Sequence, residues 1–179
     1  EMNIFVLDEN PITAAVMMCD KHIPKMVVES AQMLASAVRR WGGTDEQFIE
    51  YGILTKAGKP YRGGYANHPC TVWAGDSYGN FAWLVDHAVA LLAEYSCRFG
   101  KEHACHMPIL KLHQLGWSMV NEPRPRMSMA QTPFALAMPD EYRDDDAVKA
   151  YRAYYHSKAF AKWEKGTPAP YWWQGVIEV

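Results

Sequence analysis

Cysteine is sparse and scattered in this chain. Cys19, Cys70, Cys97 and Cys105 stand at irregular spacing among 179 residues, so neither a disulfide framework nor a CxxC metal signature is on offer, and reduced thiols are expected. Long apolar runs are missing too. None approaches the roughly 20 residues that a bilayer-spanning helix needs, which argues against a membrane partner. No basic-then-apolar leader opens the sequence. It starts Glu1-Met2, which reads as a natural initiator Met2 behind one extra residue, in a cytoplasmic protein. A surplus of one charge is also lacking: 18 Lys and Arg face 20 Asp and Glu, for a formal net charge of −2. That balance argues against a chain basic throughout, the usual footprint of a nucleic-acid binder. Much of the acid, however, is gathered in Asp140, Glu141, Asp144, Asp145 and Asp146, which leaves room for basic patches elsewhere. The seven histidines form no HExxH or His-Asp pair. His103, His106 and His113 have the spacing of one helical face, but Pro108 interrupts it, so neither a metal nor a cofactor is expected.

What is present is an apolar share of 49% with 13% aromatics, a globular composition. The length suits one domain, with an aromatic tail over 164–179. The chain is organised around residues 19–40. At 100° per residue, His22, Lys25, Glu29, Gln32, Ser36 and Arg39 fall on one stripe, while Met26, Val27, Ala31, Met33, Leu34, Ala35 and Ala37 cover the rest. An ordinary surface helix is apolar over a smaller part of its circumference. This one should be central and buried, with a His, a Lys, a Glu and a Gln facing a cleft. The plainer alternative is a solvated stripe with a Lys25–Glu29 pair worth a few tenths of a kcal/mol.

Around it the sequence predicts a strand-like or extended entry, Asn3–Leu7, and a helix from Pro11 to about Cys19 capped by Asn10. The organising helix should run from Pro24 to Arg40, since proline disfavours helix before it. A capping box at Thr44–Gln47 opens a short helix to Tyr51. Residues 52–66 form a glycine-rich basic loop bearing Lys56, Lys59 and Arg62. Ser77–Phe99 is the clearest helix, 101–117 is helical but broken at Pro108, and 121–139 is a loop carrying Pro123, Pro125, Pro133 and Pro139. A last helix capped by Asp144–Asp146 reaches about Trp163. The fold class is mostly α, a single-domain helical bundle with long loops.

The segment Asp20-Lys21-His22, followed seven residues on by Glu29, together with Asn67-His68-Pro69 before a long helix and Arg98-Phe99-Gly100 at its end, resembles the phage-type pyrimidine-dimer DNA glycosylase family, the ultraviolet-repair endonuclease V fold. The likeness spans about residues 2–100. Cys19-Asp20-Lys21-His22, Asn67-His68-Pro69 and Pro139–Arg143 also resemble uncharacterised phage proteins. The resemblance implies a small all-α enzyme acting on DNA, possibly base-modified duplex. In the family an amine attacks the sugar C1′ and a glutamate serves that step. By the same resemblance Glu29 is the catalytic carboxylate, with His22 and Lys25 holding flanking phosphates. Asp20, Lys21, Arg62, His68 and Asn80 join the substrate-binding set, Gln32 or Asn67 meets a base edge, and Trp73, Trp172 or Trp173 stacks on an extruded base. One departure stands out. The family's nucleophile is the α-amine of a small residue exposed by methionine removal, and Met2-Asn3 is poorly suited to that processing. Lys21 or Lys25 is then the candidate amine, or an external amine is transferred to a modified thymine. An enzyme of free nucleotides, or a phage protein that binds a host partner through Tyr171-Trp172-Trp173, are the competing readings. Trp73, Trp172 and Trp173 are equally suited to packing, and Asp144–Asp146 to a solvated helix cap.

Overall fold

The central helix starts two residues before its proline. A computed structural model describes residues 2–121 and 127–177. It contains α1 (Pro11–Met17), α2 (His22–Arg40), α3 (Asp45–Tyr51), α4 (Pro69–Asp76), α5 (Tyr78–Phe99), α6 (His106–Val120) and α7 (Ala147–Tyr155), with one 3-10 turn at Asp140–Tyr142. Among the described residues there is no strand beyond an isolated bridge between Leu54 and Pro60. Glu1, Pro123 and Pro125 lie outside the described residues.

Pro24 falls in the first turn of α2, where a backbone N–H has no helical partner to lose, so the helix extends back to His22. The same reasoning removes the break at Pro108, which sits in the first turn of α6. The helix expected to reach Trp163 instead ends at Tyr155. Beyond it the chain makes isolated turns, and it is also bonded across to the α1–α2 joint: Asp20 N–H donates to the Lys162 carbonyl and Glu164 N–H donates to the Asp20 carboxylate. Pro69–Asp76 forms a separate helix ahead of the long one. Ser77 is extended and caps α5, which divides the two. The capping box of α3 and the Ser77–Phe99 helix occur as predicted.

Buried on most sides, α2 packs against α4, α5 and α6, while α1 lies on α5. The entry segment 2–7 forms no strand. It is buried throughout, and the Asn3 carboxamide accepts from the N–H groups of Ile4 and Phe5 and donates to the Ala137 carbonyl. Where 52–66 passes α2, Gly63 has φ +82°, and a Cβ there would run into Ser36. Only glycine fits both demands. Next to it, Gly64 N–H donates to Ser36 Oγ (2.8 Å), and Ser36 Oγ donates back to the Gly64 carbonyl (3.1 Å). Arg39 holds the Tyr61 carbonyl. The long basic loop is thereby strapped to the polar stripe of α2.

Candidate active site

The strap and the entry segment leave a hollow over the middle of α2. It measures about 320 Å³ and is lined by Met2, Lys25, Val28, Glu29, Gln32 and Tyr65. Glu29 is 6% exposed. Its Oε1 accepts from Asn3 N–H at 2.9 Å, and its Oε2 stands 3.8 Å from Lys25 Nζ. A carboxylate so nearly buried keeps its charge only with partners of this kind, and here they also fix where it points. Lys25 is more than half exposed, so it meets both the carboxylate and whatever enters.

Three further hollows continue this one along the open side of α2. A cavity of about 740 Å³, walled by the 52–61 loop and residues 101–108, shares Val28 with it. On the other side a small one of about 140 Å³ shares Lys25, and a fourth of about 370 Å³ shares Phe160 with the third. The four hollows form a row, each sharing a lining side chain with the next, and together they outline a groove. Its walls carry Lys56, Lys101, Lys25, Lys158, Lys21, Lys162 and Lys165. The acids on those walls are Glu29, Glu102, Glu164 and Asp20, and Asp20 is bound to Arg98 at 3.2 Å. None of Asp140, Glu141, Asp144, Asp145 and Asp146 lines it. A chain near neutrality thus presents a positive groove.

His22 stands in the small hollow, not beside Glu29. Its ring stacks on Phe5 at 4.6 Å, meets Phe160 edge-on, and its Nδ1 is 2.9 Å from the Tyr155 hydroxyl. Burial, with Lys158, Lys25 and Lys21 nearby, pushes its pKa down to about 3. A neutral imidazole offers no charge to a phosphate.

The other sequence-predicted residues divide sharply. The structure brings Glu29, Lys25 and Gln32 into one hollow, with Lys21 further along the groove. Arg62 is exposed on the loop with its guanidinium 3.8 Å from the Asp45 carboxylate. Asn67 is exposed in the turn before α4, and His68 caps that helix, its Nδ1 accepting from Cys70 N–H. Asp20 is a buried joint between α1–α2, Arg98 and the 162–164 strap.

Asn80 is fully buried. Its amide donates to the Trp73 carbonyl and Thr132 Oγ1, and its Oδ1 accepts from Thr132 N–H, which ties segment 127–139 to α5. Trp73 packs on Trp83 and Phe134 in the core. Trp172 and Trp173 lie on Tyr155, His156 and Trp163, the Trp173 ring stacking on His156 at 4.9 Å. The structure gives these three tryptophans packing partners and does not bring them to the Glu29 hollow. Among the described residues no group of three or more His, Cys, Asp or Glu is placed to hold a metal. His103 caps Cys105 N–H, and His106 faces Glu102 at 3.7 Å.

Sequence reasoning missed Asn3, Tyr65 and the lysines of 158–165. Only the length of the 52–66 loop and its Gly-Gly-Tyr signalled that something there approaches α2.

Neither a curated relative nor a solved structure matches the chain. A family profile described as pyrimidine dimer DNA glycosylase matches residues 2–107, a span from the entry segment through α2 and the loop to the start of α6, and so contains the whole Glu29 hollow. Its helical fold and more than half of its length agree with that family, and the chain belongs to the pyrimidine dimer DNA glycosylases.

Proposed function

We propose that the protein acts on a base of DNA in the manner of an N-glycosylase, with Glu29 working at the sugar of the target nucleotide. The observation that carries this is the Glu29 carboxylate itself: buried, aimed into a nucleotide-sized hollow, and held by Asn3 N–H and Lys25. Breaking an N-glycosidic bond sends the bonding electrons to the base and leaves positive charge on the sugar C1′ and ring oxygen. A fixed carboxylate beside that sugar is worth more in the transition state than in the ground state, and it costs no reorganisation at the moment of reaction. The same oxygen takes a proton from an attacking nucleophile. Lys25 and Lys21 lie where flanking phosphates pass, and Gln32 offers an amide to a base edge.

The backbone nitrogen beside Glu29 is not the nucleophile in this reading. Asn3 nitrogen, the group that Glu29 holds, is a peptide N–H behind a Met2 only 1% exposed, and an amide does not attack C1′. This leaves water, an incoming amine in a base-modifying transfer, or the Lys25 amine beside Glu29 as the attacking group.

Release or replacement of a base in duplex DNA should fall roughly 10²- to 10³-fold in Glu29→Gln, with DNA affinity retained. Borohydride should trap a protein–DNA adduct if Lys25 attacks, and none if water or an incoming amine does. An unchanged rate in Glu29→Gln would sink this assignment.

A further inference from the structure

With the tryptophans engaged in packing, one aromatic ring is left at the Glu29 hollow. Tyr65 lines it and is 59% exposed. Its backbone is in the left-handed region, φ +54°, and among the described residues only Phe5 shares that condition without being glycine. Phe5 belongs to the neighbouring hollow. Left-handed backbone at a bulky residue is strained and persists only where the surroundings enforce it.

Here the enforcement is visible on both sides. Gly64, the preceding residue, is clasped twice by Ser36 of α2, and the Tyr65 carbonyl accepts from His68 N–H at the entry to α4. The backbone that carries this exposed ring is thus held, although a glycine would satisfy the same turn without strain. Nothing in the packing of the loop requires a large ring there. A flat π-face beside a buried carboxylate, on a groove with positive walls, is what an unpaired base stacks on.

We propose that Tyr65 is the stacking platform for the reacting base and holds it over Glu29 once it has left the duplex. This rests on the DNA-base reading above. Stacking needs the ring and not the hydroxyl, so phenylalanine should replace it and alanine should not. It also acts only on a base that is out of the helix, whereas the groove lysines act on any duplex.

The test compares binding of two short duplexes, one fully paired and one carrying a single thymine opposite an abasic site. Wild type should prefer the second. Tyr65→Phe should keep that preference, and Tyr65→Ala and Tyr65→Gly should lose it by roughly 5- to 150-fold, with affinity for the paired duplex unchanged. Tyr65→Gly should melt at or above the wild-type temperature, because glycine takes the left-handed backbone freely, so its loss of preference is not a folding defect. Preference retained in Tyr65→Ala, or absent in a wild type that binds DNA, overturns the stacking role and leaves the DNA-base reading standing. Absence of DNA binding by wild type at low salt overturns that reading instead.

Discussion

At the scale of single residues, a motif and its job can come apart. Asp20 stands in the Asp-x-His pattern that singled out the site, yet its carboxylate serves the fold. Arg98, whose side chain is wholly buried, donates to Asp20 Oδ1 and to the Val16 and Met18 carbonyls that close α1, and it also pairs with Glu94. Asp20 Oδ2 meanwhile takes Glu164 N–H at 2.6 Å. Arg98 keeps Glu94 when Asp20 is removed, so the cost is that of the charged hydrogen bonds forfeited by the guanidinium and by Glu164 N–H, together about 3–5 kcal/mol. Asp20→Ala should therefore melt roughly 6–20 °C lower, while DNA affinity measured well below that temperature holds. A variant of full stability with weakened DNA binding would return Asp20 to the substrate set. The spacing from Asp20 to Glu29 was legible because α2 is local and strongly patterned. Arg98 as the partner of Asp20 was not, because the two are 78 positions apart and nothing local couples them.

At the scale of elements, what could be read followed from what is decided locally. The capping box of α3 is a contact over three residues and was visible, and the apolar repeat of α5 placed that helix to within a residue. The end of α7 was not, since it depends on the cross-chain bonds that Asp20 offers to 162–164. Two helices also carry histidines whose state depends on packing. His22 opens α2 with its pKa pushed down to about 3, chiefly by burial. His87, in mid-α5 against Trp83, is pushed down to about 4 by burial, against a partial offset from the Pro11 carbonyl. An unfolded histidine titrates near 6.5. Between pH 4 and 6.5 the unfolded chain therefore binds more protons than the folded one, and stability must rise with pH across that window and level off above it. Each histidine contributes a slope of up to about 1.4 kcal/mol per pH unit. Urea unfolding at pH 4.5, 5.5 and 7 should show the midpoint climbing, and His87→Gln should lessen the climb. Equal slopes in variant and wild type would place the linkage elsewhere.

At the scale of the whole molecule, a formal charge of −2 misleads because it is an average. Seven lysines line one groove over α2, while the acidic stretch 140–146 lines none of it, and Lys149 in that region is already matched by Asp144 at 3.5 Å. Composition reports the sum and folding sets the arrangement, so a basic face was foreseeable only as a possibility left open by the clustered acid. The arrangement has a quantitative consequence. A protein that neutralises phosphates releases counterions, and the logarithm of its affinity falls with the logarithm of salt by about 0.9 per phosphate contacted. If the groove is the track of the DNA backbone, each of Lys21→Gln, Lys162→Gln and Lys165→Gln should lower that slope by roughly 0.9, and the three together should lower it about additively, since each meets its own phosphate. Lys149→Gln should leave it unchanged. The Glu29→Gln protein should keep the wild-type slope or exceed it slightly, because it removes negative charge from the groove and no lysine. A slope indifferent to the three groove lysines but responsive to Lys149 would move the DNA to another face and detach the Glu29 hollow from it.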